Sequence, residues 1–226
     1  MSFEILNFTA SLQTALSAIV SAFALIKFSS RSLYIKLIGL AFLLSFTANA
    51  CAFLLFWLGL KSLMNVPQTF YDSIIICVIS LIFYNALGKR FGKMFLIVTA
   101  FYLLFALVNF LFLQKHAINS YNKFLSSFIV ISYCIMFFYR LMVELPSTHL
   151  QRMPMFWFNS ALLIYYAGAL ILFVFTSYII NVLKQNLITY WIFHNSLSIC
   201  EHFLVLIGLY CDLFEGKKNR YKVNFF

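Results

Sequence analysis

Residues 37–60 read LIGLAFLLSFTANACAFLLFWLGL, bounded by Lys36 and Lys61, with no Asp, Glu, Lys, Arg or His between them. Wound as a helix at 1.5 Å per residue, such a stretch is about 36 Å long, enough to cross a hydrocarbon core of about 30 Å. Its apolar residues run on continuously, without the alternation that a transmembrane barrel strand needs. Further stretches of the same kind lie at 5–26, 71–88, 94–113, 124–143, 155–181 and 187–210. The reading is an all-α seven-transmembrane-helix bundle over 1–211, followed by a short basic tail at 212–226.

Composition points the same way. Of the 226 residues 64% are hydrophobic and only 10% charged, against about a quarter charged in a soluble domain. So few charges cannot coat a water-facing surface, and the lipid bilayer is the first partner implied. The five cysteines (Cys51, Cys77, Cys134, Cys200, Cys211) are odd in number and match no disulfide or metal-knuckle spacing. They read as small apolar fillers. Met1-Ser2-Phe3-Glu4 lacks the positive start of a cleavable signal, so the first apolar run is expected to remain as a helix.

Orientation follows from Lys and Arg in alternate loops. One side carries Lys27, Arg31, Lys36, Lys89, Arg90, Lys93, Arg140, Arg152, Lys217, Lys218, Arg220 and Lys222, and the other Lys61, Lys115, Lys123 and Lys184, a split of 12 to 4. Removing or adding one helix would scramble this alternation, so the N-terminus is expected outside and the C-terminus in the cytoplasm of an inner (plasma) membrane. The tail Lys217–Lys222 reads as an anionic-headgroup contact and not as a nucleic-acid patch.

Ionisable and amide residues at membrane depth are the functional suspects. In 187–210, His194 and Glu201 fall about 20° apart on one helical face, with Ser198 and Tyr190 about 40° to either side of His194. Three roles fit this stripe: a pocket for a small ligand, lipid or proton; a structural polar network; and a metal site with His194 and His202 as candidate ligands. The last lacks company, because His116 and His149 fall in loops on opposite sides, and no cofactor is expected. Arg140 has Glu144 at i,i+4, and by depth it also matches Glu201 across helices five and seven. Asn49 sits with Ser45 and Thr47 in the second helix, and Asn85, Asn109 and Asn159 are amides suited to bonding across helices. Tyr165 with Trp191 is a further candidate pocket wall, while Met155–Phe158 reads as an interfacial aromatic belt. Asp72 is placed at the outer start of the third helix, where a carboxylate suits the dipole. The candidate ligand-binding set is His194, Ser198, Glu201, Tyr190, Tyr165, Arg140 and Asn49.

Several families are excluded by missing residues. No lysine lies mid-way along the seventh stretch for a retinal Schiff base, and the Asp-Arg-Tyr and Asn-Pro-x-x-Tyr receptor signatures are absent. A ceramidase-type hydrolase needs more membrane-depth histidines. The Pro67-Gln68 pair occurs once, where three-plus-one-plus-three sugar transporters carry one in each half. The stretch Phe156-Trp157-Phe158-Asn159-Ser160 through Leu163-Ile164-Tyr165-Tyr166, then Trp191…His194 and Ile207-Gly208-Leu209, resembles small seven-helix bacterial membrane proteins. In that group the helical domain accompanies, or is fused to, two-component sensor kinases. The resemblance implies a non-enzymatic sensory or signalling-accessory protein. No kinase or coiled coil follows Cys211, so the partner would be a separate protein, and self-association is compatible with it. A small transporter or channel and a membrane-embedded metal-dependent hydrolase are the alternatives.

Overall fold

The computed structural model describes residues 2–60, 63, 65–88, 91–113, 120–144, 150–181 and 188–214. Within them lie seven helices long and apolar enough to cross a membrane. They are α1 (Ser2–Leu25), α2 (Leu33–Trp57), α3 (Asn65–Leu87), α4 (Gly92–Val108), α5 (Ser120–Glu144), α6 (Pro154–Asn181) and α7 (Ile188–Phe214). A π-helical turn, Asn109–Leu113, prolongs α4. The face where α1 begins is called the N-terminal face below, and the face where α7 ends the C-terminal face.

Local chemistry sets the helix ends. Gly59 and Gly88 have φ of 77° and 82°. At Gly59 the Leu60 amide donates to Leu55 O and the Gly59 amide to Phe56 O, the paired bonds of a Schellman stop, so α2 ends at Trp57 and not at residue 60. Pro154 opens α6 and Pro67 sits in the first turn of α3, where a missing amide proton costs nothing. Helix α3 begins earlier than hydropathy places it, at Asn65 instead of residue 71. Its polar first turns, with Gln68 and Thr69, line a cavity and need no lipid compatibility.

Six helices form a closed ring: α1 packs on α2 and α7, α2 on α3, α3 on α5, α5 on α6, and α6 on α7. Helix α4 leans on α3 and α5 from outside and presents Leu96, Ile97, Phe101 and Leu104 outward. The half of the ring toward the C-terminal face is dense, with Ile35, Ile38, Ile82, Phe83, Leu87 and Leu209 fully buried. Small residues let the backbones approach there. A Cβ on Gly39 would stand 2.7 Å from the Ala24 Cβ, and one on Gly208 would stand 3.0 Å from Pro154 O and 3.2 Å from the Trp157 Cβ.

At the same end Arg31 fastens α1 to α7. Its Nη1 meets Asp212 Oδ2 at 2.9 Å, its Nε donates to Ile26 O at 2.8 Å and its Nη2 to Phe23 O at 3.2 Å. Asp212 stands in the last turn of α7, where the helix dipole disfavours a carboxylate, and Arg31 offsets this. Arg31 is only 7% exposed, so removing it leaves the Asp212 carboxylate and the Ile26 carbonyl without their donor. Arg31→Met is expected to lower stability by about 3 kcal/mol, and Arg31→Met/Asp212→Asn by clearly less, in denaturant titrations of the detergent-solubilised protein. Equal losses would mean that the pair is not coupled.

Candidate ligand-binding cavity

Toward the N-terminal face the ring opens. A cavity of about 1360 Å³ lies inside it, walled by α1, α2, α3, α5, α6 and α7 and by nothing from α4. Phe3, Phe53 and Trp57, all exposed at the ends of α1 and α2, stand at its rim. Phe42, Ile79, Phe158, Glu201 and His202 line its deeper part. Glu201 lies about 20 Å along α7 from Ile188 at 1.5 Å per residue, so the cavity passes mid-bundle before the packed half closes it.

Polar contacts stitch neighbouring helices around the cavity wall. Asn195 Nδ2 donates to Thr9 Oγ1 at 3.2 Å, joining α7 to α1. Gln68 Nε2 donates to Asn49 Oδ1 at 2.8 Å, joining α3 to α2. Lys123 Nζ lies 3.7 Å from Asp72 Oδ2, joining α5 to α3. The same ammonium stands over the rings of Phe173 at 5.1 Å and Trp191 at 6.0 Å, which reach in from α6 and α7. Tyr165 Oη is 3.5 Å from His194 Nε2, joining α6 to α7, and the His194 ring is flanked by Tyr165, Phe173 and Trp191. His202 turns its Nδ1 to the Ser198 carbonyl of its own helix and packs edge-on against Phe42.

The structure thus brings His194, Ser198, Glu201, Tyr165 and Asn49 to one cavity. Tyr190 sits behind the wall, packed with Ala169 and Phe173. Arg140 is elsewhere: near the C-terminal face it pairs with Glu144 and donates to Leu87 O, and it does not meet Glu201. Neither depth nor adjacency holds for that pair: α5 begins at Ser120 and carries Arg140 into its last turns, Glu201 stands mid-way along α7, and α6 lies between the two helices in the ring. Asn109 and Asn159 bond to Asn122 and to Cys134 O on α5, whereas Asn85 bonds to Leu81 O within its own helix. His194 and His202 acquire no third ligand: among the described residues no three His, Cys, Asp or Glu side chains gather for a metal. His116, His149, Lys61, Lys89, Arg90, Lys115, Lys184 and the Lys217–Lys222 tail lie outside the described residues.

Asp72 and Lys123 were missed as site residues. Asp72 is not a helix-start carboxylate, since α3 begins at Asn65 and carries it into the cavity wall. Both residues lie close to the same ends of their apolar stretches, so equal depth and opposite charge were the available signal. Comparison with protein-family models, with curated proteins and with solved structures gives no match.

Asp72 is largely buried, with 13% of its side chain exposed, and Lys123 is the one Lys or Arg on the cavity wall among the described residues. Lys123→Met is therefore expected to cost about 3 kcal/mol, and adding Asp72→Asn to restore a good part of it. A double-mutant cycle by unfolding in mixed micelles measures the coupling, and strict additivity would contradict it.

Proposed function

We propose that the chain is a multi-pass inner-membrane protein, N-terminus outside, that recognises a small molecule in this cavity and passes the binding event to its cytoplasmic side. The observation that carries the reading is the blind cavity itself. Six helices supply its walls, and it ends on the packed half of the ring. A volume of about 1360 Å³ is on the scale of small-molecule sites, which run to about 1,000 Å³, with room left for water. An occupant would touch residues that themselves join helices, among them Asn49, Lys123 and His194. Binding would then change how the helices pair.

The closed C-terminal half favours sensing over conduction, because a pore needs a continuous polar path and Arg31, Gly39 and Gly208 close this one. The 12 to 4 distribution of basic residues supports the orientation. A separate kinase-type protein is the partner that the bacterial resemblance suggests.

Ser45→Cys, made in a background lacking the five native cysteines, places a thiol on the cavity wall. A membrane-impermeant thiosulfonate is expected to label it from the extracellular side only. Gln151→Cys, exposed at the other face, should label only from the cytoplasmic side, and Ala50→Trp should slow Ser45→Cys labelling at least several-fold. Labelling of Ser45→Cys from both sides would establish a carrier or channel. No labelling from either side would leave a dry, structural bundle.

A further inference from the structure

Among the described residues, Asp72, Lys123, His194, Glu201 and His202 are the acidic, basic and imidazole side chains on the cavity wall. Asp72 and Lys123 face each other. His194 has Tyr165 at one ring nitrogen, and His202 is tied to its own helix. Glu201 has neither hydrogen bond nor ion pair among the described residues, although it is only 9% exposed and borders the cavity. Rings of Tyr71, Phe158, Tyr165 and Tyr166 line the same space, the last two packed edge to face at 5.0 Å.

Each class of occupant meets this carboxylate differently. An acyl chain would cover it without a hydrogen bond, which is unfavourable. An anion would be repelled, and a neutral hydroxyl would satisfy one lone pair. An ammonium would supply both charge and donors, and the aromatic faces would add cation–π attraction. The cavity already holds one example of this chemistry in its own chain. Lys123 offers an ammonium to a carboxylate, Asp72, with two aromatic rings, Phe173 and Trp191, beside it. Glu201 and the tyrosines repeat the carboxylate and the rings but lack the cation.

We infer that the deep end of the cavity is a site for a ligand carrying an ammonium group on an apolar body, with Glu201 as its counter-ion. The inference rests on the cavity being a ligand site. The ammonium has two possible origins, a soluble organic amine or the headgroup of an aminophospholipid from the surrounding bilayer.

Three indole compounds of like shape separate the possibilities: the ethylamine (charged), the ethanol (neutral) and the propionate (anionic). Binding to the full chain is measured by calorimetry in phosphatidylglycerol nanodiscs. The amine is expected to bind about tenfold to a hundredfold tighter than the alcohol, the range of a charge-assisted hydrogen bond, and the propionate weakest. Glu201→Gln should erase that preference, whereas Glu201→Asp and Asp72→Asn should keep it. Adding phosphatidylethanolamine identifies the source: a loss of amine affinity marks the lipid headgroup, and no change marks a soluble amine. Equal binding of amine and alcohol, or a preference that survives Glu201→Gln, overturns the inference. So does failure of the amine to bind. If the alcohol binds equally and Ala50→Trp blocks it, only the ammonium assignment falls. If Ala50→Trp leaves all binding intact, the cavity reading falls too.

Discussion

A polar side chain carried into hydrocarbon must find its partner inside the bundle, because no water is there to replace it. That constraint organises this chain. The ring of α1, α2, α3, α5, α6 and α7 turns its polar residues inward, and most of them are used twice. Asn49 with Gln68, Asp72 with Lys123, Tyr165 with His194 and Thr9 with Asn195 each border the cavity or its wall and each join two helices. Individually such contacts are worth about 1 kcal/mol. Distributed around the ring, they fix which helices are neighbours and in what rotation each faces the cavity. Helix α4, which contributes nothing to the cavity, is left as the most lipid-exposed element.

The two halves of the ring solve the same packing problem differently. Toward the C-terminal face, Ala24, Gly39 and Gly208 draw α1, α2, α6 and α7 together, and isoleucine and leucine side chains fill what remains. Toward the N-terminal face, the residues facing inward are Asn, Gln, Ser, Thr and large aromatics, which keep the helices spread. A cavity open along its whole length would have no dense core on which to stand. Close packing at one end is what permits openness at the other, since dispersion and backbone approach in the closed half compensate for contacts missing in the open half.

Much of this was legible in the sequence, but unevenly. Seven spans could be read because 20-odd apolar residues have no other stable use, and the aromatic and small residues of 155–181 follow the same logic. The face shared by His194, Ser198 and Glu201 could be read because helical periodicity is local. Adjacency could not, because nothing in one helix names its neighbour. The match of Arg140 to Glu201 failed on that point, with α6 intervening and Glu144 one turn away, and on depth as well, since α5 begins earlier than hydropathy places it and carries Arg140 beyond the level of Glu201. Hydropathy also misplaced the start of α3, since it scores compatibility with lipid and the first turns of α3 face the cavity. Asp72 was hidden by that same error, read as a helix-start carboxylate, and Lys123 was counted only among the basic residues of the loops; both belong to the wall.

Helix α7 joins the two halves. It carries Glu201 at the cavity and Asp212, about 16 Å further along at 1.5 Å per residue, at the Arg31 contact. Between them Gly208 lies close against Pro154 and Trp157, where an added Cβ would stand 3.0 Å from Pro154 O and 3.2 Å from the Trp157 Cβ. A helix is stiff over this distance, and Gly208 is one point where it packs closely on α6. Under the proposed reading, an occupant that drew Glu201 toward the centre of the cavity would not move α7 at that level alone. It would tilt the helix against α6, and the far arm would bear on Arg31, which is bonded to the last turn of α1 through Phe23 O and to Ile26 O just beyond it. The same contacts that pack the C-terminal half closely would, on that reading, couple it to the cavity through α7.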